Sequence, residues 1–86
     1  MGEDGITFGQ VVAMASADPE LLDEFTRLTG VDWIKHDGSL NSDTGKLFLA
    51  FCYECIWLRM PEHLRREEVT PDPEAMRLWE EATKRD

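Results

Sequence analysis

Apolar residues recur at helical spacing along the first third of the chain. A first helix is predicted to start after Thr7, which forms a capping-box pattern with Gln10. A second helix is predicted to start at Pro19, behind the N-cap residue Asp18, and to end at Gly30. Each helix carries one apolar stripe that a core would bury. The stripes are Phe8, Val11, Val12 and Ala15 in the first helix, and Leu21, Leu22, Phe25 and Leu28 in the second.

Residues 44–60 are apolar almost all round, and the run is too long for a typical buried strand. They are therefore predicted to form a central helix. This helix breaks before Pro61, which is predicted to open a short helix ending at Glu68. The sequence Asp-Pro-Glu at 72–74 is a strong start signal for a last helix over 73–85.

The segment 31–43 lacks periodicity, so it is predicted to be a loop in which Trp33 and Ile34 fold back onto the core. We therefore predict an all-α fold, with residues 1–86 forming a single domain. The expected architecture is a small orthogonal bundle of four to five helices around the central apolar helix at 44–60.

The charge of the chain narrows the range of its partners. The 86 residues carry a formal net charge of −9, and residues 1–43 hold nine acidic residues against two basic ones. Binding to nucleic-acid phosphates or to an anionic membrane requires an excess of Lys and Arg, so we expect neither. A protein with a basic surface fits this charge distribution better.

Two features favour a location in the cytoplasm. The N-terminus is acidic and lacks the basic flank and apolar run of a secretory signal, and the longest apolar stretch, 47–58, is too short to span a membrane. The two cysteines, Cys52 and Cys55, lie too close in sequence to staple distant parts of a fold. Such cysteine usage indicates a reducing compartment.

The same cysteines raise an alternative function, a zinc-binding module. Together with His36 and His63 they supply four candidate ligands, and two thiols one helical turn apart can share a metal ion. Free cysteines inside an apolar helix are also ordinary small core residues. We therefore expect no metal or other cofactor and keep the zinc module as an alternative.

The sequence contains no catalytic pattern. It has no Gly-x-Ser-x-Gly segment and no Ser/His/Asp set that its spacing could bring together. A chain of 86 residues also leaves little room for an enclosed active site. We therefore expect a binding protein rather than an enzyme.

Carboxylates on and after the second predicted helix form the main candidate binding surface, the acidic face. Acidic side chains arrayed on a rigid helix can imitate backbone phosphates, dock in a cationic groove and gain association rate from electrostatic steering. The alternative is a face that only keeps the protein soluble. The acidic face comprises Asp18, Glu20, Asp23, Glu24, Asp32, Asp37 and Asp43.

Tyr53 and Trp57, four residues apart on the central helix, form a second candidate surface. Aromatic side chains of this kind anchor protein interfaces, and a homodimer would use them first. The alternative is that both rings pack beneath the last helix, against Met76 and Trp79, because a helix that is apolar nearly all round is normally buried.

These features predict a small acidic protein-binding module that docks on a basic or nucleic-acid-binding surface of a larger machine. In size, acidity and lack of catalytic residues, the chain resembles the small inhibitors that phages and mobile elements make against host machinery, including anti-CRISPR proteins. That resemblance of character implies an inhibitor or antagonist. The alternative is a structural or assembly subunit that forms a homo-oligomer through exposed aromatic residues.

Overall fold

The computed structural model describes residues 5–33 and 42–84. Within these ranges the chain forms an all-α globule with four α-helices and no β-strand, which confirms the predicted fold class. None of the helices in this part of the chain combines the length and the apolar character that crossing a membrane requires. The helices are α1 (Phe8–Ser16), α2 (Pro19–Thr29), α3 (Asp43–Cys52) and α4 (Pro73–Thr83).

Side chains cap three of the four described helices, α1, α2 and α4, where the sequence predicts them to begin. The Thr7 hydroxyl accepts a hydrogen bond from the Gln10 amide at 3.2 Å, and the Gln10 side chain accepts one from the Thr7 amide at 2.8 Å. Asp18 and Asp72 each accept from the backbone amide two residues further on, at 2.9 and 3.1 Å. Gly30 ends α2 with a φ of 75°, a left-handed conformation that glycine adopts without steric cost.

An aromatic cluster forms the centre of the core and joins α2 to α3. Phe25, Phe48 and Phe51 are fully buried, and Phe25 meets the other two rings edge to face at 5.3 and 5.5 Å between centroids. The ring of Trp33 stacks on that of Phe48, with centroids 4.3 Å apart. This contact confirms that Trp33 folds onto the core, whereas Ile34 lies outside the described residues.

The predicted central helix consists of two geometrically different parts. After α3 ends at Cys52, the chain continues as a π-helical turn over Tyr53–Trp57, in which the Leu58 amide donates to the Tyr53 carbonyl at 3.0 Å. A π turn takes in more residues than an α turn. Side chains beyond Cys52 therefore point in directions that a spacing of 3.6 residues does not predict.

The helix predicted over 61–68 is reduced to a single 3-10 turn, Glu62–Leu64. Backbone groups after this turn pair with the segment before α1. The Ile6 amide donates to the Leu64 carbonyl at 2.9 Å, and the Arg66 amide donates to the Ile6 carbonyl at 3.1 Å. An amide that donates to another segment is not available for a helical hydrogen bond, so the turn does not extend into a helix.

Candidate functional site

The carboxylates of the acidic face lie mainly on α2. Asp18 caps the helix, and one of its carboxylate oxygens accepts from the Glu20 amide at 2.9 Å. Glu20 and Asp23 are exposed, whereas Glu24 is half-exposed and forms an ion pair with Arg27. α2 turns these side chains outward because its apolar stripe faces the core.

Three of the predicted carboxylates line one open groove of about 460 Å³, which we call the acidic groove. Glu20 and Asp23 contribute from α2, and Asp32 contributes from the segment that follows it. None of the lining residues that the structure describes is basic. These residues are Pro19, Glu20, Leu22, Asp23, Thr26 and Asp32.

A second groove, which we call the mixed groove, has a volume of about 520 Å³. It lies between α2 and the end of residues 44–60, the segment predicted as the central helix, which we call the central helical run. Its rim on α2 is acidic, its floor is apolar, and Arg59 stands on the opposite rim. Glu20 lines both grooves, so the two adjoin along α2. The acidic rim consists of Asp18, Glu20 and Glu24, and the floor consists of Leu21, Leu28, Phe51 and Cys55.

One described residue of the predicted acidic face, Asp43, stands apart from these grooves. Asp43 is exposed in the first turn of α3, where a negative charge interacts favourably with the helix dipole. It lines neither the acidic groove nor the mixed groove. Asp37 lies outside the described residues.

Tyr53 and Trp57 pack on Phe8 of α1. Both rings meet the Phe8 ring edge to face, with centroid distances of 6.4 and 5.6 Å. Trp57 is 2% exposed and Tyr53 is half-buried, so the monomer offers a partner part of the tyrosine but little of the tryptophan. The sequence offered Trp79 of the last helix as a packing partner for Tyr53 and Trp57. In the structure the Trp79 ring lies 6.0 Å from the ring of Phe51.

A further groove of about 640 Å³ lies beside these aromatic rings, and its described lining mixes three acidic with two basic residues. The Arg65 guanidinium lies 4.0 Å from the Glu62 carboxylate, and its Nε atom is buried without a hydrogen-bond partner in the described part of the chain. A buried atom of this kind is out of reach of a ligand. The groove is lined by Tyr53, Trp57, Glu62, Arg65, Arg66, Glu67, Glu68, Val69 and Thr70.

The residues of the alternative zinc site are spread between the core and the surface. Cys52 is fully buried, and burial raises the pKa of its thiol to about 12. Cys55 is half-buried, and burial raises the pKa of its thiol as well. His63 is exposed, and His36 lies outside the described residues. In the ranges that the structure describes, no three His, Cys, Asp or Glu side chains come together in a group that could hold a metal ion.

Sequence reasoning missed the residues that the central helical run contributes to the mixed groove. Phe51 and Cys55 have the apolar character of ordinary core residues, and Arg59 is one charged residue in a chain of which 31% is charged. No local pattern signals that these three side chains face α2. Their position depends on how the helices pack.

The fold and the two grooves define a small all-α protein with an acidic surface centred on α2. No protein-family model matches the chain, and neither a curated protein nor a solved structure shows significant similarity to it.

Proposed function

We propose that the chain is a small acidic module of the cytoplasm that binds a larger protein by docking the surface of α2 on a basic patch. Inhibition is the outcome that fits this chemistry best, because carboxylates seated in a nucleic-acid-binding groove would exclude the phosphates that normally occupy it. The proposal includes the finer predicted architecture, an orthogonal bundle around the helical run 44–60, as the rigid support for that surface.

The observation that carries the proposal is the acidic groove. Glu20, Asp23 and Asp32 line it together, and Glu20 and Asp23 are exposed on the outer side of α2. Glu20 and Asp23 are anchored on α2, whose ends are fixed by the Asp18 cap and by Gly30. The backbone positions of these two residues are therefore defined before a partner arrives, which lowers the entropic cost of binding.

Electrostatics also favour rapid association with a basic partner. The chain carries a net charge of −9, and clustered charge of one sign can raise the association rate by roughly 10 to 10³-fold. Because exposed charges are screened by salt, this gain falls as ionic strength rises. If the surface served only solubility, no partner would bind to it with an association rate that falls as ionic strength rises.

Reversal of charge on α2 tests the proposal. The double variant Asp23→Lys/Glu24→Lys should weaken capture of a protein partner from a cell lysate by at least about tenfold, since two attractive contacts become repulsive. High salt should weaken capture by the unchanged chain in the same direction. The measurement is the amount of partner retained by immobilised protein at rising salt concentration.

A matched control uses Glu80 and Glu81, which are exposed on α4. The variant Glu80→Lys/Glu81→Lys changes the net charge by the same amount but leaves both grooves intact. It should retain the partner. Capture that is indifferent to salt and to the reversal on α2, or that falls equally in both double variants, would contradict docking through this surface.

A second candidate function is assembly into a homo-oligomer, and the outer face of α1 favours it. The helix contains no charged residue, and Met14 is 56% exposed, with Ala13 and Ala17 exposed beside it. An uncharged face is where two copies of so acidic a chain can approach with least repulsion. Sedimentation should then show a dimer that the variant Met14→Glu dissociates, and a monomer at high concentration would exclude this candidate.

A further inference from the structure

The mixed groove differs from the acidic groove because it offers both charge and a surface for apolar contact. Its floor is closed by Phe51, which is fully buried, while Leu21, Leu28 and Cys55 are half-buried and keep part of their surface open. Half-exposed apolar side chains at the base of a groove gain free energy when a partner covers them. Charge alone therefore does not describe what this groove binds.

We infer that the mixed groove binds an amphipathic helix of a partner protein, one that presents apolar anchor residues flanked along one side by lysines or arginines. This inference rests on the proposed function and specifies which segment of the basic partner docks. Helices of this kind commonly bind in grooves through anchor residues one or two turns apart.

The spacing of the two leucines in the floor favours an elongated occupant. Leu21 and Leu28 lie seven residues apart on α2, which corresponds to about 10 Å along the helix. A partner helix lying along α2 can place side chains of its own positions i and i+7 over these two leucines. An occupant much shorter than about 10 Å would cover one of them and leave the other half-exposed.

The rim specifies the charge of the occupant and the side on which it lies. Glu20 and Glu24 are four residues apart, so both stand on the same edge of α2, next to Asp18. Arg59 on the opposite rim repels a cation. The basic side chains of the partner are thereby confined to the α2 side, where one of them would replace Arg27 in the ion pair with Glu24.

The first experiment uses a synthetic helical peptide with leucines at positions i, i+4 and i+7 and lysines along one flank. Fluorescence polarisation should show saturable binding to the unchanged chain. The variants Leu21→Gln and Leu28→Gln should each raise the Kd by about tenfold, because they remove apolar contact without changing charge. Leu58→Gln, at a residue that is 44% exposed and outside the groove, should leave the Kd unchanged.

The second experiment needs no variant, so it is independent of any effect on folding. Cys55 lies in the floor, and an occupant that covers it should slow alkylation of its thiol by about tenfold, as an interface excludes solvent from the contacts it buries. Mass spectrometry after limited alkylation reports the modification of each cysteine. Unchanged alkylation of Cys55 at saturating peptide would overturn the inference.

Two control peptides separate this inference from the proposed function. One has the same composition in an order that destroys the apolar face, and the other carries glutamate in place of lysine. Binding of the amphipathic basic peptide alone supports the inference. Equal, salt-sensitive binding of the amphipathic basic peptide and of its reordered control overturns the inference, while the proposed docking by charge stands. Binding of neither basic peptide, together with partner capture that ignores charge reversal on α2, contradicts both.

Discussion

The Lys46 ammonium donates a hydrogen bond to the Glu74 carboxylate, with 2.7 Å between Nζ and Oε1, and this contact ties α3 to the first turn of α4. The hydrogen bond to Lys46 is the main reason that the pKa of Glu74 is lowered, and the same bond raises the pKa of Lys46. Glu74 also lies next to the Asp72 cap, where a negative charge interacts favourably with the helix dipole. One carboxylate therefore stabilises both the start of α4 and its packing on α3.

The Lys46–Glu74 pair should contribute to stability across the neutral pH range and lose that contribution at acidic and at strongly alkaline pH. The depressed pKa of Glu74 means that its contribution is complete above the ordinary value of 4.5 and disappears as pH falls through the lowered value. The raised pKa of Lys46 means that its contribution is complete below 10.5 and disappears as pH rises through the raised value.

A double-mutant cycle checks this prediction. Urea unfolding of the original chain, Lys46→Gln, Glu74→Gln and the double variant gives the coupling free energy between the two side chains. We expect a favourable coupling at neutral pH that shrinks in acid, and that also shrinks at high salt because the pair is solvent-accessible. Zero coupling at neutral pH and low salt would show that the pair does not contribute.

Removal of the Trp33 ring should be among the most damaging substitutions in the chain. Trp33 is 9% exposed and stacks on Phe48, so Trp33→Ala should lower the free energy of unfolding by about 3–5 kcal/mol through lost burial and an unfilled cavity. Urea denaturation measures the change. Leu58→Ala, at a residue that is 44% exposed, is the control and should change stability by no more than about 0.5 kcal/mol. Similar effects of the two substitutions would contradict this account of the core.

Two glycines in neighbouring segments should respond to alanine in opposite directions. A Cβ at Gly5, whose φ is 154°, would lie 2.6 Å from the Leu64 carbonyl oxygen, so Gly5→Ala should destabilise the chain by about 1–3 kcal/mol. Gly9 lies in α1, where the nearest atom to an added Cβ is the Thr7 Oγ1 at 3.9 Å. Gly9→Ala should therefore stabilise the helix by about 0.5 kcal/mol. Thermal unfolding of both variants provides the measurement, and a Gly5→Ala variant as stable as the original would exclude close packing against residue 64.

The two cysteines should differ clearly in their reactivity towards a thiol reagent. Burial raises the pKa of both thiols, to about 12 for the fully buried Cys52, so little of either is thiolate at neutral pH. Cys55, which is half-buried, should react first and faster as pH rises, while Cys52 should react only after local opening of the fold. Time-resolved mass spectrometry measures the two rates, and equal rates in the native state would show that Cys52 is not packed as described.

Local chemistry in the sequence predicts where most of the helices begin. The Thr7 capping box, the Asp18 and Asp72 caps and the glycine at the end of α2 all occur as the sequence indicates. These signals are reliable because a cap bonds to amides only two or three residues away. The helix predicted over 61–68 depended on no such cap, and pairing of its backbone with Ile6, more than fifty residues away, takes its place.

The candidate site likewise has features that the sequence predicts and features that it does not. Carboxylates on the outer face of α2 follow from the amphipathic pattern of that one helix, so the sequence identifies Glu20 and Asp23 as surface groups. It also groups Asp32 with them on the acidic face, but it does not predict that Phe51 and Cys55 form an apolar floor beside Glu24. That relationship joins residues from different elements.

By itself, therefore, the sequence determined the all-α class, the capped starts of α1, α2 and α4, and the acidic character of α2, because each depends on interactions among residues close along the chain. Only the tertiary structure decided that the end of the central run is π-helical, that the ring of Trp57 meets Phe8, and that an apolar floor lies beside the acidic rim. The physical reason is that burial is shared between segments, and the side chain that fills a given space depends on the segment packed opposite.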